Sequence, residues 1–277
     1  MATDGYDTTR DYQTILQLQI EEGLKELERP PTGQFLSALT CGLTLGIGVF
    51  GLLMFSTVLG PVLGEGVVHL LRSGAYTFGF VLAIMSQTEL FTEHTTLAVF
   101  PVLSGDADAT SLARLWTLVF VGNIVGGTLF AGFLFVSGPS LHLIDEQAFV
   151  DVASTFIGLS STGVFTGAIL AGWLMALLSW ILTSVGDSIS RIAVIVICTF
   201  PIGFGHLPHC VAGNIEVIAG MLAGAQISMA QWVQFLTLTT LGNVVGGVVF
   251  VALLNYSHVV WGTDGTGMDE TIQALED

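Results

Sequence analysis

The sequence runs to 277 residues, 52% of them hydrophobic and 10% charged, against about 25% charged residues in ordinary soluble domains. So apolar a chain cannot hide its surface in water, and a net charge of −16 removes nucleic acid as a partner, because phosphate binding needs clustered cations. Cys41, Cys198 and Cys210 have neither metal-ligand spacing nor a disulfide pattern, and no nucleophile motif, phosphate loop or catalytic carboxylate pair points to an enzyme or a cofactor.

Residues 1–34 are polar and begin MATDGYDTTRDYQ, without the short apolar core behind a basic start that a cleavable signal requires. Within them Ile15, Leu18, Leu24 and Leu27 recur near helical spacing until Pro30 and Pro31. This predicts an amphipathic helix that packs on the cytoplasmic face as a lid or interface anchor, with partner binding as the alternative.

A membrane-crossing helix needs about 20 apolar residues. Segments 35–60, 115–136, 156–185 and 232–256 meet this without a charge. Segments 74–103 and 192–227 are longer, roughly 45 and 54 Å as straight helices, too long for one crossing. Glu89, Glu93, His94 and Pro101 interrupt the first, and Pro201, His206, Pro208, His209, Gly213 and Glu216 the second. The expected fold is therefore an all-α polytopic membrane protein with six crossings, 35–256, whose second and fifth helices are broken. Arg10, Lys25, Arg29, Arg114 and Arg191 fall on one side and Arg72 on the other, which places both termini in the cytoplasm of a cell-membrane protein. The tail, 257–277, is acidic and expected to be disordered.

The chain repeats itself. LVFVGNIVGGTLFAGFL, 118–134, returns as LTTLGNVVGGVVFVALL, 238–254, with Asn123 and Asn243 separated by 120 positions. The first and fourth spans align at an offset of 121, pairing Phe35 with Phe156, Gly42 with Gly163, Gly46 with Gly167, Gly51 with Gly172 and Met54 with Met175. Three spans per repeat make the second copy enter the bilayer from the opposite side, giving inverted halves. At an offset of 120, Glu89 falls on His209, so the two interruptions correspond. Unwound backbone inside a bilayer is tolerated where it lines a cavity, and the transport path is expected there.

His209 is the first candidate, since an ionisable group in an apolar span is functional by default; the alternative is a histidine that ties down the break. Thr92, in the opposite interruption, is positioned to hydrogen-bond His209, unless it only caps its own helix. Glu89, Glu93, His94, His206 and Glu216 are each open to three roles: partner of freed backbone amides, vestibule ligand or proton relay. His206 and His209 form the one suggestive metal pair, and Pro208 between them spoils regular helical spacing. Asn123 and Asn243 read as interhelical hydrogen-bonding glue.

These residues together resemble the formate/nitrite transporter family. The resemblance is carried by ELFT, 89–92, by the W-x6-GN of Trp116 to Asn123, by LAGWLMALLSW, 170–180, and by the HCVA run from His209. It implies an aquaporin-like protomer, a homopentamer with one pore per subunit, and passage of small monovalent anions. By position Thr92 is similar to the family's loop threonine and His209 to its pore histidine. The resemblance also implies apolar constrictions on both sides of that histidine; Leu90 and Phe91 would line one of them, and Val211 is a further candidate. The chain departs from the family pattern at Glu93-His94, where small or amide residues are usual, at Gly172 and Gly213, where asparagines are, and in lacking any Lys or Arg between Arg114 and Arg191.

The resulting expectation is proton-linked passage of an anion as its weak acid through a histidine-bearing pore. A passive pore for water or ammonia is the second reading and a non-conducting membrane sensor the third. The surplus of carboxylates further reads as adaptation to high salt. The thermal midpoint in detergent should rise between salt-free buffer and molar KCl, and a flat response excludes that adaptation.

Overall fold

The computed structural model describes residues 10–262, and all regular structure among them is helical. Of the tail 257–277 expected to be disordered, residues 257–262 belong to the last helix and the remainder lies outside the described residues. The first helix, α1 (Tyr12–Glu28), starts where the Asp11 carboxylate accepts the amides of Gln13 and Thr14 at 3.0 and 2.9 Å; the Thr14 amide and hydroxyl, foremost, hold its pKa below the usual carboxylate value. Its buried face is Ile15, Leu16, Gln19, Gly23 and Leu27, while Leu18 and Leu24 are only half-buried.

Pro31, whose missing N–H costs nothing in a first turn, opens α2 (Pro31–Leu59). There follow α3 (Glu65–Met85), α4 (Phe91–Leu97), α5 (Phe100–Ser104), α6 (Ala109–Ser140), α7 (Glu146–Ile157), α8 (Ser161–Ser184), α9 (Ser188–Phe204), α10 (Cys210–Leu222) and α11 (Met229–Gly247). A π-helical turn, Val248–Leu253, joins α11 to α12 (Leu254–Gly262). Among the described residues five helical stretches are long and apolar enough to cross a membrane: α2, α3, α6, α8 and the run from Met229 to Gly262. The shorter α9 and α10 are also apolar.

Several boundaries differ from expectation. The apolar run 156–185 is not one helix: Ile157 closes α7, and after Gly158 the Ser160 hydroxyl caps α8 by accepting the Gly163 amide at 3.1 Å. Hydropathy counts Gly and Ser as span residues, whereas a serine N-cap starts a new helix. Likewise α3 begins at Glu65, not near residue 74, and carries Arg72 within it; the last helix continues past Tyr256 to Gly262.

Glycine contacts set the register between repeats. A Cβ on Gly42 would strike the Asn123 carbonyl, and one on Gly172 the Asn243 carbonyl. Gly122 faces Ala38 and the Phe35 carbonyl, as Gly242 faces Ala168 and the Phe165 carbonyl; Gly126 meets the Leu39 carbonyl, as Gly246 meets that of Ile169. The α2–α6 and α8–α11 pairs are thus built alike, with first-span residues matched at an offset of 130 (42 to 172). The expected offset of 121 is overturned, and with it Gly42–Gly163 and Gly51–Gly172. Glycines recurring four and five apart match in more than one register, and only the helix–helix contacts choose between them.

These close approaches leave no space for a side chain. Gly42→Leu and Gly172→Leu should abolish recovery of monodisperse protein from detergent. Gly33→Ala, at a helical position with nothing within 4 Å, should be neutral or stabilising by about 0.5–1 kcal/mol, read from thermal unfolding.

Candidate functional site

The two interruptions are made in the same way. After α3, Gln87 turns left-handed at φ 56° and the Thr88 amide returns to the Ala83 carbonyl at 3.2 Å. After α9, His206 does so at φ 46°, and the Leu207 amide returns to the Ile202 carbonyl at 2.9 Å. Both are Schellman stops, built without the usual glycine. Three residues further on, Leu90 and His209 are extended and cap α4 and α10. The breaks therefore correspond at an offset of 119, pairing His209 with Leu90 and Pro208 with Glu89; the expected match of Glu89 to His209 is off by one residue.

One asparagine holds each break. Asn123 on α6 accepts the Phe91 amide through Oδ1 at 2.8 Å, and its Nδ2 donates to the carbonyls of Ala38 and Glu89, both at 2.8 Å. Asn243 on α11 accepts the Cys210 amide at 2.9 Å and donates to Ala168 at 2.7 Å and Pro208 at 3.2 Å. Each carboxamide, fully buried, thus serves an orphan amide of a new helix and a carbonyl stranded by the break.

Between the breaks, the Thr92 Oγ1 lies 2.8 Å from His209 Nε2, and both residues are buried. His209 Nδ1 accepts the Ala212 amide at 3.2 Å, so the neutral ring carries its proton on Nε2 and donates it to Thr92. The imidazole therefore both caps α10 and crosses to α4. Its flank is the Phe80 ring of α3, edge-on at 5.2 Å between centroids, a neighbour that periodicity could not single out from the many aromatic residues of that span.

The remaining candidates divide. Leu90 and Val211 are fully buried; the Phe91 ring packs edge-on against Phe120 and Trp116 of α6, at 5.1 and 6.4 Å. His94 turns back on its own helix, its Nδ1 at 3.0 Å from the Leu90 carbonyl. Glu89 is buried with its Oε1 2.5 Å from the Arg29 guanidinium, which also reaches Glu26 at 3.0 Å. Arg29 was indicated by no motif, since it lies outside the spans. It fastens the end of α1 to the first break, as Gln19 fastens the middle of α1 to Ser179 and Thr183, at 3.0 and 2.5 Å. Glu93 is half-buried and lines a cavity of about 270 Å³ beside α1. Glu216 is buried on α10 with Oε1 unpartnered, two turns along from His209. His206 stands apart from His209, its ring 5.1 Å from that of His69, and among the described residues no group of three potential metal ligands occurs.

Truncating either asparagine strands three buried backbone groups, each worth about 1–3 kcal/mol. Asn123→Ala and Asn243→Ala should therefore lower thermal stability by more than the ~1 kcal/mol of an average substitution, and a melting point equal to the parent's would refute that role.

Comparison with known proteins agrees with this architecture. The family model "Formate/nitrite transporter" matches residues 13–257. Inner membrane protein YfdC of Escherichia coli is 33% identical over 245 residues, spanning 86% of this chain and 76% of the relative. Among solved structures, an FNT family ion channel superposes with a TM-score of 0.79 over 90% of this chain and 99% of the other, at 23% identity. A pentameric formate channel with formate bound gives 0.69 over 84% and 98%, at 21% identity. The match of the family model over most of the chain, together with a relative a third identical, makes this chain a member of the formate/nitrite transporter family.

Proposed function

We propose that the chain passes a small monovalent anion of the formate or nitrite class across the cell membrane, in its conjugate weak-acid form, through the space between Thr92 and His209. The observation that carries this reading is the buried Thr92–His209 contact at 2.8 Å, set between two helix breaks and flanked by the Phe80 ring. Two neighbouring donors, the Nε2–H and the threonine hydroxyl, suit an acid or anion that arrives between them and takes both hydrogen bonds.

A bare anion loses its hydration in such an enclosure at large cost, and its neutral acid loses far less. Flux is then linked to protons. In this reading residues 35–256 are the channel domain, with six crossings in two inverted halves whose second and fifth helices are broken. Residues 1–34 form a cytoplasmic segment that packs across the inner mouth, both termini face the cytoplasm, and the working unit is a homopentamer. The contacts shared by the α2–α6 and α8–α11 pairs support the halves, and the segregation of bases from Arg72 supports the orientation. The pentamer rests on likeness to the pentameric channel.

A second reading, a passive pore for a neutral solute, draws on Glu93 and on Gly172, which is closed in by the Asn243 backbone and leaves no room for an amide side chain. Proteoliposomes separate the two. Formate and nitrite uptake should rise as external pH falls and vanish in His209→Ala. Thr92→Val should retain about a tenth of the rate, the loss of one hydrogen bond of about 1.4 kcal/mol. Swelling or flux indifferent to pH and to both substitutions selects the neutral pore.

A further inference from the structure

Beside α1, a cavity of about 270 Å³ is lined by Glu93 of α4, Ser179 and Thr183 of α8, Arg191 of α9, Glu22 of α1 and Arg10. We propose that Glu93 is the proton-exchange group of the passage, taking the proton from the weak acid as it leaves the Thr92–His209 contact and returning it to the cavity. This rests on the weak-acid reading above and assigns the step that the histidine is badly placed to perform.

Proton-linked passage needs a base where the acid emerges. His209 has both ring nitrogens engaged, Nδ1 with the Ala212 amide and Nε2 with Thr92. His94 is bound to the Leu90 carbonyl, and Glu89 faces Arg29. Glu93 follows Thr92 directly in the first turn of α4 and lines the cavity, so a single residue step separates the buried contact from the cavity wall. The step balances without another reactant: the acid's O–H bond breaks, a Glu93 carboxylate oxygen gains the proton, and the freed anion is left beside the Arg191 guanidinium. Water in the cavity then removes the proton from Glu93.

The charged groups acting on Glu93 are Glu22 and Glu26 of α1, Arg191 of α9 and His94 of its own helix, with Arg10 also lining the cavity. Of the other elements packed on α4, the helices α8 and α11 and the π turn carry no titratable side chain, and Arg114, the one such residue on α6, is bound to the Leu27 carbonyl. Glu93 is thus the carboxylate next to the passage that is both unclaimed by a bond and open to the cavity.

The test is formate flux in proteoliposomes with the pH of each face set independently and an entrapped pH dye reporting proton movement. The parent chain should show a titration step in its dependence on the pH at the α1 face. Glu93→Gln should lose that step and at least about tenfold in rate, the low end of what a positioned proton acceptor supplies, whereas Glu93→Asp should keep the step. Glu93→Ala with imidazole buffer at that face, a base small enough for the cavity, should regain rate and so reports even where the glutamine variant folds poorly. A Glu93→Gln protein with the parent's rate and profile, or a Glu93→Ala protein indifferent to imidazole, overturns this inference alone. A parent chain that moves no formate removes the weak-acid reading and this one with it.

Discussion

Two buried carboxamides, Asn123 and Asn243, are the constraint on which the rest depends. A helix broken inside an apolar medium leaves amides and carbonyls that no water can satisfy, each costing several kcal/mol. At each break a single side chain meets these needs from a neighbouring helix, accepting one amide and donating to two carbonyls. Asparagine is suited to this because it offers one acceptor and two donors on a short, stiff stem. An aspartate has no donor, and a glutamine adds a rotatable bond.

The glycines follow from the asparagines. For Asn123 to reach the Ala38 carbonyl, α6 must approach α2 almost to backbone contact, and Gly42, Gly122 and Gly126 remove the side chains that would hold them apart; Gly172, Gly242 and Gly246 do the same for α8 and α11. Close packing in turn fixes where α4 and α10 begin. The result is that Leu90 and His209 occupy equivalent cap positions, one apolar and one polar. The pseudo-equivalence is broken at these two caps.

The amino-terminal helix adds a second layer of control over the geometry. Gln19, Arg29 and the carbonyl of Leu27, bonded by Arg114, tie α1 to α8, to the first break and to α6. Three structural units meet along one amphipathic helix, and the cavity lined by Glu93 lies where that helix covers them.

The sequence alone determined that the chain is a membrane protein, that the GN segments repeat, and that neither long apolar segment can run as one helix, because these depend on local composition and on the length of a helix. It placed Thr92 and His209 in corresponding interruptions through the internal repeat, in a register one residue out. It misjudged the register of the first and fourth spans, since glycine-rich helices match in several alignments and the Asn–carbonyl contacts that select one are remote in sequence. It also left Glu89, His94 and Phe80 without partners. Whether a buried carboxylate meets Arg29, a histidine folds back on its own helix, or a phenylalanine flanks the imidazole depends on side chains brought together from separate helices. Packing alone decided that, because burial in a dry interior obliges each polar group to find its partner in space, wherever it lies along the chain.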